Sequence, residues 1–558
     1  MKSPDPYTIE IIRSSLEAIG DEMFSALQRT SMSPIIYETL DFSVGVTDAE
    51  GDLITQGNGT TVFLAMIDSF VRDILSKFGA RGQLHPGDVF LSNDPYEGGG
   101  THLSDFGIAA PVFFNDELVA FVVNKAHWVD VGGKGAGSFS TNATEIFQEG
   151  IQIPSLKIIS RGVVDQQILD IIAANIRLPK ESLGDFWGGV AANRVGERRI
   201  IELFQKYGRD AVIEAKDQLL AYGEVMTRKD LAALPKGVFT ADDWIDDDGI
   251  TTDRLKVQVK LTITDEEFIA DFTGSAPQAT GPINNSRTGL VSAVRMIFKA
   301  LTNPHIPANG GSFKPIKVIC PDRTVFTAER PAPVSAYWET LMYAVDLIWK
   351  AMAPHVPHRL TAGHQLSVCA VILSGTHADT NEFALLVCPL VGGWGAGHDK
   401  DGESGQFSAA DGETYNIPVE ITEARYGVLV EQCGFHGLDG GGGEYRGGRG
   451  VVMDYRVRTD DFVLTGSFGR FKYPPWGLDG GEPGSANMLQ VVRTDGRIET
   501  YGKVSGLALK RGDIVRMITA HGGGFGDPKN RSRERVLEDI RNGFVTQKQA
   551  ESSYGITV

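Results

Sequence analysis

The sequence has few cysteines, and none of them forms a pair of the kind that binds zinc. Its four cysteines (Cys320, Cys369, Cys388 and Cys433) are far apart and give no CxxC motif. Single, widely separated cysteines are typical of reduced thiols in a reducing compartment. We therefore expect structural thiols and a cytoplasmic location, and we exclude a zinc site built from cysteine.

Long apolar runs and a surplus of basic residues are also missing. No run reaches the roughly 18 apolar residues of a membrane span, and the start, MKSPDPYTIE, is unlike a signal peptide. The 71 acidic residues outnumber the 53 basic ones, giving a formal charge of −18. Such a charge repels phosphate backbones and anionic lipids, so we expect neither a nucleic-acid partner nor a membrane partner.

Standard nucleotide-binding and acyl-transfer motifs are absent as well. There is no GxxxxGK[ST] loop, residues 133–137 do not have the GxGxxG spacing, and no GxSxG motif occurs. We therefore predict no cofactor-binding residues for a nucleotide in this chain.

Glycine, by contrast, is abundant. The 66 glycines cluster in aromatic-punctuated segments such as residues 392–397 and 522–526, which indicates tight turns rather than a disordered tail. A chain of 558 residues exceeds one ordinary core. We predict a mixed α+β, multi-lobed fold with antiparallel or mixed sheets and glycine-rich loops. Its predicted domains are an N-terminal metal-site domain (1–235), a middle α/β domain (236–430) and a C-terminal glycine-rich strand region with a terminal helix (431–558).

The first two hundred residues contain a helix and then a series of short strands. Asp5 and Pro6 suit a helix start, and apolar residues from Ile9 to Leu27 repeat every three or four positions. From Asp41 to about Val131, short apolar segments end in polar residues, a pattern typical of strands that carry a site at their ends.

Two such polar segments contain a candidate metal site. His102 and Asp105 follow a glycine run, and His127 follows the apolar stretch that starts at Leu118. Two imidazoles and a carboxylate suit Zn²⁺ or Mn²⁺ with an open coordination position. By spacing alone, the alternative that these are ordinary polar residues stays open.

The residues around this site resemble a known family. Asn93-Asp94-Pro95, Gly99-Gly100-Thr101-His102-Leu103 and Asp105 look like the hallmark of the hydantoinase B/oxoprolinase family, which includes the large subunits of acetone and acetophenone carboxylases. Further similar motifs follow in the same order along nearly the whole chain, at residues 41–43, 48–51, 271–275, 281–284, 306–313 and 522–528.

The resemblance implies specific roles. His102, Asp105 and His127 match the metal ligands of the related carboxylase subunit, Asp41 becomes a further ligand or a general base, and Asp94 a turn residue or one that orients a histidine. It also implies a separate hydantoinase A-like partner with an actin-like ATPase fold, which uses ATP with Mg²⁺ to phosphorylate the substrate, in a heterotetramer of α₂β₂ type.

The implied activity is ring opening of a cyclic amide such as hydantoin, N-methylhydantoin, 5-oxoproline or a lactam, after phosphorylation by the partner. A ketone carboxylase subunit is the first alternative, and a non-catalytic scaffold subunit the second. One departure from the family pattern is residues 56–59, Gln-Gly-Asn-Gly, where we expect a histidine nearby. The length of the chain, shorter than expected for an acetone carboxylase large subunit, favours the hydrolase branch or an acetophenone-carboxylase-like subunit.

Other polar clusters have a structural interpretation. The acidic residues 242–249 do not have the register of a calcium-binding EF-hand, so we expect a solvated turn there. Four histidines beside glycines or aromatics (His364, His398, His436 and His521) are expected to be structural, with the alternative that His398 and Asp399 line a substrate path.

Overall fold

The computed structural model describes residues 5–64 and 66–557. Its helices are α1 (Pro6–Thr30), α2 (Pro34–Tyr37), α3 (Thr61–Leu64), α4 (Ile67–Lys77), α5 (Gln166–Asn175), α6 (Pro179–Tyr207), α7 (Arg209–Ala233), α8 (Arg287–Leu301), α9 (Trp338–Met352), α10 (Val419–Tyr426), α11 (Arg533–Arg541) and α12 (Gln547–Ser552). The first eleven strands are β1 (Phe42–Asp48), β2 (Leu53–Gly59), β3 (Val89–Ser92), β4 (Asp105–Phe114), β5 (Glu117–His127), β6 (Leu156–Ser160), β7 (Val163–Val164), β8 (Gly237–Ile245), β9 (Leu255–Ile263), β10 (Phe268–Asp271) and β11 (Ile316–Ile319). The remaining strands are β12 (Ala370–Thr376), β13 (Phe383–Cys388), β14 (Leu429–Phe435), β15 (Val451–Arg456), β16 (Val463–Ser467), β17 (Met488–Val492), β18 (Ile498–Tyr501), β19 (Lys503–Ala508) and β20 (Ile514–Ile518).

Helix α1 begins as the sequence predicts. The Asp5 carboxylate accepts hydrogen bonds from the backbone N–H groups of Tyr7 and Thr8, and Pro6 occupies the first turn, where its missing N–H costs nothing. The side chains of the predicted stripe from Ile12 to Leu27 are buried. This stripe packs with α6 and α7 against the first sheet and forms one of the cores.

The first sheet has seven strands in the order β2-β1-β5-β4-β3-β6-β7. Strands β1, β5 and β4 are adjacent and antiparallel. Strand β5 continues past Val123 to His127, four residues beyond the apolar stretch that predicts it. In an antiparallel pair, one strand starts at the edge of the sheet where its neighbour ends. The first residue of β4 and the last residue of β5 therefore lie side by side at one edge of this sheet.

Three four- or five-stranded sheets follow in the rest of the chain. Their orders are β11-β10-β9-β8, β13-β12-β16-β19 and β14-β15-β20-β17-β18. In strand β9 apolar and polar residues alternate, and the side chains of Val257, Val259, Leu261 and Ile263 are buried. The third sheet joins strands from both sides of residue 430.

Helix α9 is enclosed on all sides. Every side chain from Trp338 to Met352 except Lys350 is buried, as expected of a helix with apolar residues on all faces. It packs against α8, β8 and β9 within a second core. Its first turn faces the edge of the first sheet where β4 begins and β5 ends.

The fold class is confirmed: helices and antiparallel or mixed sheets alternate along the chain, joined by glycine-rich loops. The division into domains at residues 235 and 430 stays a prediction. Within the described part of the chain, no helix combines the length and the apolarity needed to cross a membrane.

The expectation of a solvated turn at residues 242–249 is wrong. Asp246 and Asp248 are only 1% and 3% exposed. The Asp246 carboxylate accepts the backbone N–H of Phe471 and of Lys472, while Asp248 accepts that of Gly281. These carboxylates join separate segments of the chain, a long-range role that a local sequence pattern cannot reveal.

Candidate metal centre

Three strand ends bring the candidate site together. Asp105 is the first residue of β4 and His127 the last residue of β5, and the two are direct partners in the antiparallel ladder. Asp41 immediately precedes β1, and its carbonyl oxygen accepts the backbone N–H of His127 at 3.1 Å. Asp41, Asp105 and His127 are far apart in sequence, but they lie at one edge of the sheet because β1, β5 and β4 are neighbouring strands.

The loop that carries His102 is held by buried polar contacts. The Asn93 side-chain amide donates to the carbonyl oxygens of Leu103 and Ile151, and its oxygen accepts the backbone N–H of Ile153. Gly99 has φ +68°, and a Cβ there would lie 2.9 Å from the backbone nitrogen of Phe70. The glycine run thus permits the sharp turn that the sequence predicts. The buried Lys125 Nζ donates to the Gly99 carbonyl oxygen at 3.0 Å, which ties the turn to β5.

His102, Asp105 and His127 converge on one point. Asp105 Oδ1 lies 3.0 Å from His102 Nε2 and 3.2 Å from His127 Nδ1. The two ring nitrogens are 3.2 Å apart, and all three side chains are buried. Two ligand atoms that are each about 2.1 Å from one ion lie roughly 3.0–3.4 Å apart at tetrahedral or octahedral angles. The observed separations fit a shared divalent ion.

The surrounding hydrogen bonds leave the converging atoms free to bind an ion. His102 Nδ1 lies 3.1 Å from the Ser335 carbonyl oxygen, which can only accept, so the Nδ1–H donates and Nε2 keeps its lone pair. The Thr101 hydroxyl donates to Asp105 Oδ2, which leaves Oδ1 toward the histidines. Two imidazoles and one carboxylate with such outer partners are a donor set suited to zinc or manganese.

The electrostatics distinguish the two aspartates. Burial alone would raise the pKa of Asp105, but the charges and hydrogen bonds of His102 and His127 outweigh it and hold the pKa below its usual range. For Asp41, burial raises the pKa to about 7, helped by the negative charges of Asp105 and Asp411 and opposed by His127. Asp41 Oδ2 lies 3.9 Å from His127 Nδ1, beside the cluster rather than within it.

A cavity of about 70 Å³ adjoins the cluster. Its polar end is formed by His102, Asp105, His127, Asp41 and Asp411, while apolar side chains from α9, β12, β13 and neighbouring loops form its other walls. Burial raises the pKa of Asp411 to about 6 although the Ser408 hydroxyl donates to it. The site is therefore a mostly apolar chamber with titratable groups at one end, a typical form of a small-molecule binding site.

Asp94 is not brought to the cluster. Its Oδ1 accepts the backbone N–H of Tyr96 at 2.9 Å, and its Oδ2 pairs with Arg330 at 2.9 Å. Among the described contacts, Asp94 makes none with His102 or His127, and it does not line the cavity. These contacts match the predicted turn role and give no sign of contact with a substrate.

Four residues of the site were missed by the sequence prediction. Tyr337, Trp338 and Asp411 line the cavity, and Ser335 orients His102. Burial, together with the negative charges of Asp105 and Asp41, keeps the pKa of Tyr337 well above its ordinary value, so its hydroxyl stays protonated. The sequence does place Tyr337 and Trp338 side by side at the start of an apolar helix. Such an aromatic pair is as typical of a hydrophobic core as of a binding site, so it did not identify them as cavity residues.

Three of the four scattered histidines are buried away from the cluster. His436 and His521 stack with ring centroids 4.2 Å apart, and all four of their ring nitrogens have backbone partners. Burial lowers the pKa of His364 to about 3; this ring packs against Trp349 and Trp394. His398 is exposed beside Asp399. These contacts agree with the structural roles expected for His364, His436 and His521.

Comparison with known proteins identifies the family. The family model described as hydantoinase B/oxoprolinase matches residues 5–528, so the chain belongs to that family. A relative from Pseudomonas sp. strain NS671, described as the B component of a putative D-/L-hydantoinase, is 31% identical over 100% of this chain and 96% of its own.

Two solved structures have the same fold. The ATP-dependent caprolactamase from Pseudomonas jessenii superimposes with a TM-score of 0.93 at 26% identity, covering 100% of this chain and 97% of its own. The nucleotide-free acetone carboxylase superimposes with a TM-score of 0.94 at 19% identity, covering 99% of this chain and 80% of its own. The latter likeness establishes the fold and no more.

Proposed function

We propose that this chain is the metal-binding, hydrolytic subunit of an ATP-dependent cyclic amidase, from the class of enzymes that open hydantoin, oxoproline or lactam rings. The observation that carries the proposal is the convergence of His102, Asp105 and His127 at the polar end of a largely apolar cavity. Relatives named as components of a hydantoinase and of a caprolactamase support it.

The three converging residues would hold a zinc or manganese ion. Such an ion lowers the pKa of a water molecule and polarises a carbonyl group. The Ser335 carbonyl and the Thr101 hydroxyl would keep His102 and Asp105 oriented toward it, as outer partners do in known metal sites.

Asp41 is the proposed general base. Its carboxylate lies at the edge of the cluster, faces the cavity and has a pKa of about 7, raised by burial, which suits a group that exchanges a proton near neutral pH. Asp41 would take the proton of the attacking water as its oxygen bonds to the amide carbon. The ring carbon–nitrogen bond then breaks, and the proton passes to the nitrogen.

The amide must be activated first, because resonance makes it a poor electrophile. We propose that a partner chain of the hydantoinase A-like ATPase class uses ATP with Mg²⁺ to phosphorylate the amide oxygen, in a cytoplasmic heterotetramer. After the carbon–nitrogen bond breaks, the phosphoryl group remains on the former carbonyl oxygen as an acyl phosphate, and a second water hydrolyses it to the carboxylate and inorganic phosphate. The hydantoinase and caprolactamase relatives are each named as one subunit of a larger enzyme, which supports a partnered assembly.

The test is ATP-dependent ring opening by the chain together with this partner. Hydantoin, 5-oxoproline and caprolactam are supplied separately with ATP and Mg²⁺, and the ring-opened product and ADP are measured with and without chelator. Product that requires ATP, both subunits and the metal supports the proposal. Product that requires bicarbonate and gains a carboxyl group would indicate the ketone carboxylase alternative. Activity that persists in His102→Ala and His127→Ala would indicate a scaffold role.

A further inference from the structure

The walls of the cavity differ sharply in chemistry from its polar end. Away from the histidines, the cavity is lined by hydrocarbon side chains, including Leu341 and Met342 of α9 and Ile372 and Val387 of the third sheet. These walls offer van der Waals contact and exclude water. A ligand that reaches the cluster must therefore bury its remaining surface against apolar groups.

Apart from the two histidines, the side chains of the described lining of the cavity that can carry a charge near neutral pH are carboxylates. Three carboxylates line it, those of Asp41, Asp105 and Asp411, whereas no lysine or arginine is among the described residues of its lining. Lys125, two residues before His127, directs its Nζ to the Gly99 carbonyl oxygen and is not part of the wall. The described lining therefore contains no lysine or arginine that could pair with a negatively charged substituent of a ligand.

Uncharged hydrogen-bonding groups are nevertheless present in the wall. Trp338 Nε1 is buried and has no hydrogen-bond partner among the described residues, although the Trp338 ring lines the cavity and meets His102 edge-on at 5.7 Å between centroids. The Tyr337 side chain, which ends in a hydroxyl group, also lines the cavity. Both groups can donate a hydrogen bond to a neutral carbonyl oxygen without a charge on the ligand.

We propose that this cavity selects cyclic amides whose ring carries no ionised substituent, and discriminates against those that carry a carboxylate. The amide faces the histidines and the hydrocarbon part of the ring faces the apolar walls. This inference rests on the proposed function. A ring carboxylate would be buried against hydrocarbon without a cationic partner, which costs far more than burying a neutral amide. A phosphoryl group introduced by the partner would lie beside the metal ion at the polar end, so the selectivity proposed here concerns only ring substituents that face the apolar walls.

The experiment compares 5-oxoproline with its carboxamide, two rings of nearly equal size that differ by one charge. With both subunits, ATP and Mg²⁺, we expect kcat/KM for the carboxamide to exceed that for the acid at least tenfold. Calorimetric titration of the chain alone, loaded with Mn²⁺, should show the same order of affinity. Equal or greater affinity and turnover for the acid would overturn the inference.

Two variants test whether the charge of the cavity wall causes the preference for the carboxamide. Val387 lines the wall and is half-buried, so Val387→Lys places an ammonium group in the cavity and should reduce the preference for the carboxamide at least threefold. Asp411→Asn removes a negative charge with little change in shape and should also reduce the preference for the carboxamide. This second variant keeps the test valid if Val387→Lys does not fold. An unchanged preference in both variants would contradict the proposed cause.

The binding titration separates the two proposals. Carboxamide binding without ring opening in the complete complex would refute the proposed function and leave the selectivity intact. Ring opening of 5-oxoproline in preference to its carboxamide would refute the selectivity and leave the function intact. If neither 5-oxoproline nor its carboxamide binds or reacts, both the proposed function and the proposed selectivity would be refuted.

Discussion

His102 Nδ1 lies 3.1 Å from the carbonyl oxygen of Ser335, a residue 233 positions further along the chain. The same segment is held from its other side by the buried carboxylate of Glu149, which accepts the backbone N–H of Ser335 at 2.8 Å and that of Val334 at 2.9 Å. The orientation of a predicted metal ligand thus depends on a carboxylate that does not touch the cluster.

Glu149→Ala should therefore weaken metal binding. Loss of the carboxylate leaves the N–H groups of Val334 and Ser335 without their acceptor, so the carbonyl that orients His102 can shift. Removal of such outer partners typically lowers metal affinity about 10–100-fold. Affinity for Zn²⁺ is measured by chelator competition. Glu339→Ala is a matched control, since Glu339 is also buried and accepts hydrogen bonds from Ser367 and Ser467; equal losses in both variants would contradict the link to His102.

Asp41→Asn should abolish most of the catalysis while the metal is retained. An amide of the same shape cannot accept the proton, and loss of a general base typically costs at least about 100-fold in rate. Ring opening by the complex and metal content of the chain are measured together. Asp94→Asn, which changes the turn near Arg330, should cost far less; a comparable loss in both variants would assign Asp94 a direct part in the reaction.

Tyr337→Phe tests the hydroxyl in the cavity wall. We expect kcat/KM for cyclic amides to fall about tenfold with unchanged metal content, since one hydrogen bond to a substrate contributes about 1–1.5 kcal/mol. Tyr343→Phe in α9 is the control, because the Tyr343 hydroxyl donates to the Trp244 carbonyl oxygen instead. Full activity of Tyr337→Phe would show that the Tyr337 hydroxyl makes no hydrogen bond to the substrate.

Asp185 should make the stability of the chain depend on pH. Its Oδ1 accepts the backbone N–H groups of Met32 and Ser33, while its Oδ2 is buried without a partner among the described residues. Burial raises the pKa of Asp185 from 3.8 to about 6. The folded state therefore binds the proton more tightly, and this contribution to stability is present below about pH 4 and is lost as the pH rises through 6.

Asp185→Asn removes that dependence, because asparagine keeps the acceptor and does not ionise. The free energy of unfolding of the variant minus that of the wild type should be about 2–3 kcal/mol larger at pH 7 than at pH 4. Urea unfolding at both pH values measures this. A constant difference between the two proteins would show that Asp185 keeps an ordinary pKa in the folded state.

Much of the fold follows from local signals. The cap at Asp5 and the alternation in β9 are encoded in neighbouring residues, whereas β5 extends to His127, four residues past its apolar stretch. The position of Tyr337 and Ser335 beside His102 is not encoded locally, because it depends on how α9 packs against the first sheet. Similarly, Asp246 and Asp248 have a composition typical of a solvated turn and are buried by backbone partners from distant segments.

Metal content of the purified chain tests the central claim most directly. Elemental analysis of the wild type, His102→Ala, His127→Ala and a control, His398→Ala at an exposed histidine, compares the proteins after identical reconstitution with Zn²⁺ or Mn²⁺. We predict about one ion per chain in the wild type and the control, and little in the two cluster variants. An ion retained equally in all four proteins, or none in the wild type, would contradict the account.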